Sequence, residues 1–240
     1  MENINIYKTK KLQKYLNNEI DNQKEFTGIG ISKHILLCGS TGSGKTNALL
    51  NYLILTSKPK LGTFSHIFLC YKTQEPLYDF LKDELKNNLT EYKNLDEFPS
   101  VNEFPEQNKD KYLIIFDDCV NDKDKKSEKK INEYFTYGRK KGITCLFLSQ
   151  SYYDTLEFIR KNVSYIILCS IQSNNDLYRI LSEYSISDVN KKEMLKMYEY
   201  AVLKRNPDDM PFMKISRNET KNKKFSRNWT DYINIDDYKK

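Results

Sequence analysis

One run of eight residues constrains this chain more than any other stretch: Gly39-Ser40-Thr41-Gly42-Ser43-Gly44-Lys45-Thr46. It satisfies the pattern G-x-x-x-x-G-K-[ST] in full. The apolar residues Ile35, Leu36 and Leu37 precede it, and Asn47, Ala48, Leu49 and Leu50 continue as a helix would. A strand, a glycine-rich turn and a helix, in that order, form the context the pattern requires. Glycines let successive backbone N–H groups converge on one anion, and the helix start adds a favourable dipole. Lys45 is placed to reach β- and γ-phosphates, and the Thr46 hydroxyl to ligate Mg²⁺. Gly39, Ser40, Thr41, Gly42, Ser43, Gly44, Lys45 and Thr46 are therefore the predicted nucleotide-binding residues.

A second element follows at Tyr112-Leu113-Ile114-Ile115-Phe116-Asp117-Asp118. An apolar strand that ends in acids is the Walker B arrangement. Asp117 is expected to hold Mg²⁺, directly or through water, and Asp118 to orient or polarise the attacking water. The two acids can also exchange these roles. Predicted strands lie at His34–Cys38, His66–Tyr71, Tyr112–Phe116, Thr144–Ser149 and Ser164–Ser170. Predicted helices lie at Lys45–Leu55, Glu75–Leu89, Glu128–Lys141, Asn175–Tyr184 and Lys191–Tyr200, the second with Leu77, Phe80, Leu81 and Leu85 on one face. Such alternation implies βαβ units and a parallel sheet with helices on both faces. Ala201–Arg205 and Phe212–Ser216 flank the turn signal Asn206-Pro207-Asp208-Asp209 and read as a late hairpin. The expected division is an N-terminal segment 1–30, a nucleotide-binding domain 31–216 and a C-terminal arm or tail 217–240.

Composition narrows the choice. A chain of 240 residues, 39% hydrophobic and 13% aromatic, can build a core and is not a disordered tail. Its longest strongly apolar runs, Leu113 to Phe116, Cys145 to Leu148 and Tyr165 to Cys169, are about one strand long, so no membrane span is expected. Met1 to Lys10 carries no apolar stretch of the secretory kind. The cysteines, Cys38, Cys70, Cys119, Cys145 and Cys169, have no C-x-x-C pair and read as small buried hydrophobes in a reducing compartment. His34 and His66 lack zinc-like spacing. The net charge is +6, yet only six of the 39 basic residues are Arg, at 139, 160, 179, 205, 217 and 227. The lysine surplus, together with abundant Asn, reads as coding bias and says little about partners. The arginines are the better place to look for specific chemistry.

Other nucleotide-binding classes fit poorly. A GTPase needs Asp-x-x-Gly at the second motif, where Val120 stands three residues after Asp117, and Asn108-Lys109-Asp110-Lys111 lacks the final acid of a guanine reader. No Leu-Ser-Gly-Gly-Gln string marks an ABC-type ATPase, and an Arg-rich kinase lid is absent. The stretch Gly138-Arg139-Lys140-Lys141-Gly142-Ile143-Thr144-Cys145-Leu146-Phe147-Leu148-Ser149-Gln150 is more specific. It resembles the FtsK/HerA superfamily of DNA-pumping ATPases, in which a Gly-Arg-x-x-Gly-Ile element leads into a strand ending in Ser/Thr-Gln. Ser151-Tyr152-Tyr153, Phe158-Ile159-Arg160-Lys161-Asn162 and Tyr165-Ile166-Ile167-Leu168 look like the viral branch, the genome-packaging ATPases of poxviruses, other large DNA viruses and virophages. The resemblance runs from about residue 30 to 175. Cellular members continue Gln-Arg-Pro and have Asp-Glu at the second motif. Here Ser151 and Tyr152 follow Gln150, and the acids are Asp117-Asp118.

The resemblance implies an α/β P-loop NTPase with a RecA-like parallel core, a late β-hairpin and a C-terminal tail. It implies ATP and Mg²⁺ as ligands and ATP hydrolysis that drives double-stranded DNA into a capsid. A cellular or plasmid-borne translocase or helicase, and a nucleotide-gated assembly switch with little turnover, are the competing expectations. The implied partners are DNA, identical subunits in a ring, and capsid vertex or portal proteins. The implied place is the host cytoplasm, in a viral factory, or the virion. Lys45, Asp117, Asp118, Gln150 and Arg139 are the expected catalytic residues, with Thr46 and Asp117 at the metal. Gln150 is expected to lie beside Asp117 and touch the γ-phosphate or the lytic water. Arg139 is expected to reach a neighbouring subunit's nucleotide as an arginine finger, with Arg160 as the second choice. The charged run Lys123 to Lys130 is expected as a solvated loop or a DNA-facing one. The mixed stretch Lys221 to Trp229 is expected as a docking arm or packed tail in preference to a nucleic-acid contact, and Tyr152 and Tyr153 are expected to pack in the helix after Gln150.

Overall fold

A computed structural model describes residues 24–58, 62–106, 110–119, 125–184, 190–203, 211–219, 221–234 and 237. Its strands are β1 (His34–Cys38), β2 (His66–Tyr71), β3 (Leu89–Tyr92), β4 (Tyr112–Asp117), β5 (Ile143–Ser149), β6 (Tyr165–Leu168), β7 (Met213–Ser216), β8 (Phe225–Arg227) and β9 (Asp231–Tyr232). Its helices are α1 (Lys24–Thr27), α2 (Lys45–Ser57), α3 (Pro76–Leu85), α4 (Lys125–Tyr137), α5 (Glu157–Asn162), α6 (Asn174–Glu183), α7 (Lys191–Tyr198) and α8 (Lys221–Lys224). All the strands join one sheet in the order β3-β2-β4-β5-β1-β6-β7-β8-β9. Every pairing from β3 to β6 is parallel, and those from β6 to β9 are antiparallel.

Apart from the edge strand β3, the parallel strands are apolar on both faces, as a sheet covered on two sides must be. Leu36, Ile114, Phe116, Cys145 and Phe147 point to one core, and Ile35, Leu37, Leu113, Ile115 and Leu148 to the other. Each of these side chains is at most 4% exposed. Burying a side chain of this kind stabilises the fold by about 1.5–3 kcal/mol. β5 lies between β1 and β4, paired in register from His34 with Cys145 and from Tyr112 with Ile143. The C-terminal ends of these three strands therefore meet on one edge of the sheet.

Several expectations shift. The helix predicted over Glu75–Leu89 ends at Leu85, passes through a 3₁₀ turn and becomes β3. Tyr78 and Leu81 form its buried face, whereas Leu77 and Phe80 are 37% and 49% exposed. Lys125 to Lys130 form the first turns of α4. There Lys126 pairs with Asp96 at 2.7 Å, and Lys130 Nζ donates to the carbonyls of Leu95 and Phe98 at 2.7 and 2.6 Å. Lys123 lies outside the described residues. Tyr152 and Tyr153 occupy a turn before α5, with Tyr152 buried. Ala201, Val202 and Leu203 lie in a π-helical turn, so the late hairpin is β7–β8 rather than one around the 206–209 turn, which lies outside the described residues. The stretch after Ser216 extends the sheet through β8 and β9, with Trp229 only 5% exposed.

This antiparallel flank is held by an unusual group. Lys214 is fully buried, and its Nζ donates to the Thr27 carbonyl at 3.1 Å and to the Trp229 carbonyl. A side chain at Gly28 would run into it: an added Cβ would lie 2.4 Å from that Nζ.

Candidate functional site

The loop between β1 and α2 follows from the glycines. A Cβ at Gly39 would lie 2.4 Å from Ser43 Oγ and 2.7 Å from Cys169 Cβ, so no other residue fits the close approach. Gly44, directly before α2, has φ +90°, a backbone that L side chains rarely adopt. The Lys45 Nζ donates to the carbonyls of Gly39 and Ser40 at 2.8 and 3.1 Å. Beside the loop opens a pocket of about 440 Å³. Thr41, Gly42, Gly44, Lys45 and Thr46 line it from the loop, and Asp117, Asp118 and Gln150 from the ends of β4 and β5. Gly39, Ser40 and Ser43 shape the loop behind it.

Gln150 bridges the loop and the acids. Its Oε1 accepts from Thr41 Oγ1 at 3.0 Å, and its Nε2 donates to Asp118 Oδ2 at 2.9 Å. Its acidic contact is thus Asp118 rather than Asp117. Asp118 meets it because the chain turns sharply after β4, with Asp118 at φ +53°, a conformation Asp tolerates better than most residues. Asp117 accepts from the buried Tyr78 hydroxyl. Burial raises the Asp117 carboxyl above the usual carboxylate range, the Tyr78 bond opposes that shift, and Glu75 and Asp118 add to it. Burial beside the same acid pushes the Tyr78 hydroxyl up.

Two residues here were not predicted: Glu75, whose Oε2 accepts from Thr46 Oγ1 at 2.8 Å, and Tyr78. Both come from the start of α3, directly after β2: Glu75 at its N-cap and Tyr78 in its first turn. The Glu75-Pro76 pair, a proline at the first turn of a helix directly after a strand, was the available signal. Thr46, Glu75, Asp117 and Asp118 offer oxygen ligands to the pocket, which suits a hard cation such as Mg²⁺.

Arg139 does not join this pocket. It belongs to the 3₁₀ turn before β5, and its Nη2 donates to the Asn162 carbonyl. The pocket lies beyond the other end of β5, roughly 20 Å away at a strand's rise per residue. Arg160 is enclosed: its Nε donates to Thr155 O at 3.1 Å, Glu183 lies 3.7 Å from it, and its guanidinium stacks over Tyr152 and Tyr153. His34 is buried against Phe135, and desolvation lowers its pKa to about 3, so it is a neutral core residue. Among the described residues, no helix is long and apolar enough to cross a membrane.

Known proteins place this architecture. Residues 31–210 match the family described as "Poxvirus A32 protein". No curated protein sequence is detectably similar. Among solved structures, the genome packaging NTPase B204 of Sulfolobus turreted icosahedral virus 2, in complex with ATP-gammaS, superposes with a TM-score of 0.53 and 19% identity. That match covers 78% of this chain and 93% of that one. The DNA-packaging ATPase B204 of Sulfolobus turreted icosahedral virus gives 0.52 and 17% with the same coverage. Thermomonospora curvata EccC (ATPases 2 and 3) gives 0.50 and 14%, over 85% of this chain and 38% of that one. At these identities the likeness is one of fold: a P-loop ATPase sheet with its flanking helices.

Proposed function

The chain belongs to the poxvirus A32 protein family, and from that premise we propose that it is an ATPase that drives double-stranded DNA into a viral capsid. One observation carries the reading. Because β5 is inserted between β1 and β4, Gln150 touches the phosphate loop through Thr41 and the acidic turn through Asp118 at once. A side chain so placed registers whether the γ-phosphate is present and passes that state to the segment leading into α5.

The roles follow from this geometry. Lys45 exchanges its two loop carbonyls for β- and γ-phosphate oxygens and neutralises charge there. Thr46 and Asp117 would hold Mg²⁺, which when bound polarises the phosphate oxygens. Asp118, oriented by Gln150, positions the attacking water and accepts its proton as ADP departs. The distance of Arg139 from its own pocket and the enclosure of Arg160 support Arg139 as the cation offered to a neighbouring subunit. Identical subunits in a ring, double-stranded DNA, and capsid vertex or portal proteins are then the partners, and the host cytoplasm the place of action.

The test is ATP turnover against DNA concentration and length, with oligomeric state followed by light scattering in the same samples. Turnover is expected to rise with double-stranded DNA and with assembly. A slow rate indifferent to DNA would instead identify a nucleotide-gated switch.

A further inference from the structure

The Thr46 hydroxyl and the Asp117 carboxylate, the two side chains expected at the metal, are each held by one residue from the start of α3. We propose that this turn is a positioning element of the metal site, with Glu75 as the residue that takes the Thr46 hydroxyl hydrogen; the proposal rests on reading the pocket as a Mg-nucleotide site.

A hydroxyl has one hydrogen and two lone pairs. To ligate a cation it must turn a lone pair outward, and its hydrogen then needs an acceptor elsewhere. Glu75 Oε2 supplies that acceptor at 2.8 Å. Asp117, the carboxylate expected at the metal, already receives a hydrogen on Oδ2 from Tyr78, whose ring is fully buried and cannot swing aside. The two bonds divide the work: Tyr78 occupies one oxygen of Asp117, and Glu75 orients Thr46.

The local backbone supports this division. Glu75 stands at the N-cap of α3 with φ −122° and ψ 144°, followed by Pro76. Short polar side chains at that position commonly cap the helix, whereas the longer Glu side chain can reach past it. Glu75 makes no such bond, so its carboxylate remains with Thr46. The rigid proline turn fixes where that carboxylate starts. Because the Glu75 side chain is only half-buried, its replacement leaves the core intact.

The experiment compares the affinity of the full chain for a fluorescent ATP analogue, mant-ATP, in EDTA and in Mg²⁺. The readout is the ratio of the two dissociation constants, so it does not depend on turnover. Glu75→Ala is expected to reduce the gain from Mg²⁺ about tenfold, the usual scale for losing the partner of a metal ligand. Glu75→Gln, whose amide oxygen still accepts the hydroxyl hydrogen, is expected to keep most of the gain. Mn²⁺ titrated in the presence of mant-ATP and followed by electron paramagnetic resonance should rank the three proteins in the same order. An Ala variant with the wild-type ratio overturns the proposal, and so does a Gln variant that loses as much as Ala. A wild-type chain that binds mant-ATP without any response to Mg²⁺ overturns the reading of the pocket and the proposal together, so the two failures are distinct.

Discussion

Two lysines in this molecule are held in the same way and serve opposite ends. Lys45 donates to the carbonyls of Gly39 and Ser40, and Lys214 to those of Thr27 and Trp229. The difference lies in what surrounds them. Lys45 is half-buried, its acceptors belong to one short loop, and an open pocket lies beside it. It can exchange carbonyls for phosphate oxygens without losing its bonds. Lys214 is sealed, and its acceptors come from segments far apart in the chain. It has nothing to exchange with, so it ties the chain before β1 to the turn after β8. Desolvation lowers its pKa to about 7, with Lys24 pushing the same way and Glu219 opposing them. Partners alone do not tell a functional charge from a structural one; the access of those partners to solvent does.

The sharpest way to break this contrast is to remove each lysine. Lys45→Ala should lower ATP turnover by about 100-fold or more, the scale for removing one donor that stabilises transition-state charge, while leaving the thermal midpoint within a few degrees of wild type. Persistent turnover would show that the loop does not hold the phosphates. Lys214→Met should do the reverse. It leaves two buried carbonyls without a donor and should cost about 2–3 kcal/mol in urea unfolding, with turnover at 20 °C nearly unchanged. Unaltered stability would mean that Lys214 is a passenger.

The same comparison has a pH axis. The unfolded chain holds the Lys214 proton up to about 10.5, whereas the folded chain releases it near 7. Between those values the unfolded state binds more protons, so this group's contribution to stability increases as pH rises through the window and is flat below it. The stability of wild type minus that of Lys214→Met should therefore grow from pH 7 to pH 10 in urea titrations. A difference that stays constant would place the lysine pKa outside this range.

The two regions also differ in how much of them the sequence announces. β1 and β2 have the bounds that their apolar runs indicate, because a strand buried on both faces leaves a continuous hydrophobic signature. β3 leaves none: Leu89, Thr90, Glu91 and Tyr92 are all half-buried at an edge, and helical periodicity from α3 runs over them. In the pocket, the eight-residue loop and the acids after β4 announce themselves by spacing. Glu75 and Tyr78 do not, because the sheet order that sets β2 beside β4 is what brings them there. Leu77 and Phe80 mislead for a related reason. They satisfy an apolar stripe, yet the rotation of α3 is set by Tyr78 reaching Asp117. The flank of Lys214 was illegible since it joins residues before β1 to residues after β8, and a lysine inside a strand reads as a solvated one.

The smallest expected effect tests whether the two regions are separate at all. Trp229 packs against Tyr52 and Phe212 at ring distances of 5.4 and 4.8 Å, and its Nε1 donates to Asn51 Oδ1 at 2.7 Å. Asn51 and Tyr52 lie on α2, the helix that begins at Lys45. Trp229→Phe keeps an aromatic ring and removes one hydrogen bond whose acceptor water can still reach, so it should cost about 1 kcal/mol. If the flank only stitches the fold, mant-ATP affinity will not change, because α2 is still fixed by Ala48, Leu49 and Leu53 in the core. A several-fold weaker affinity at equal folded fraction would show instead that the flank sets the position of the helix start. Lys214 and Lys45 would then be two ends of one device.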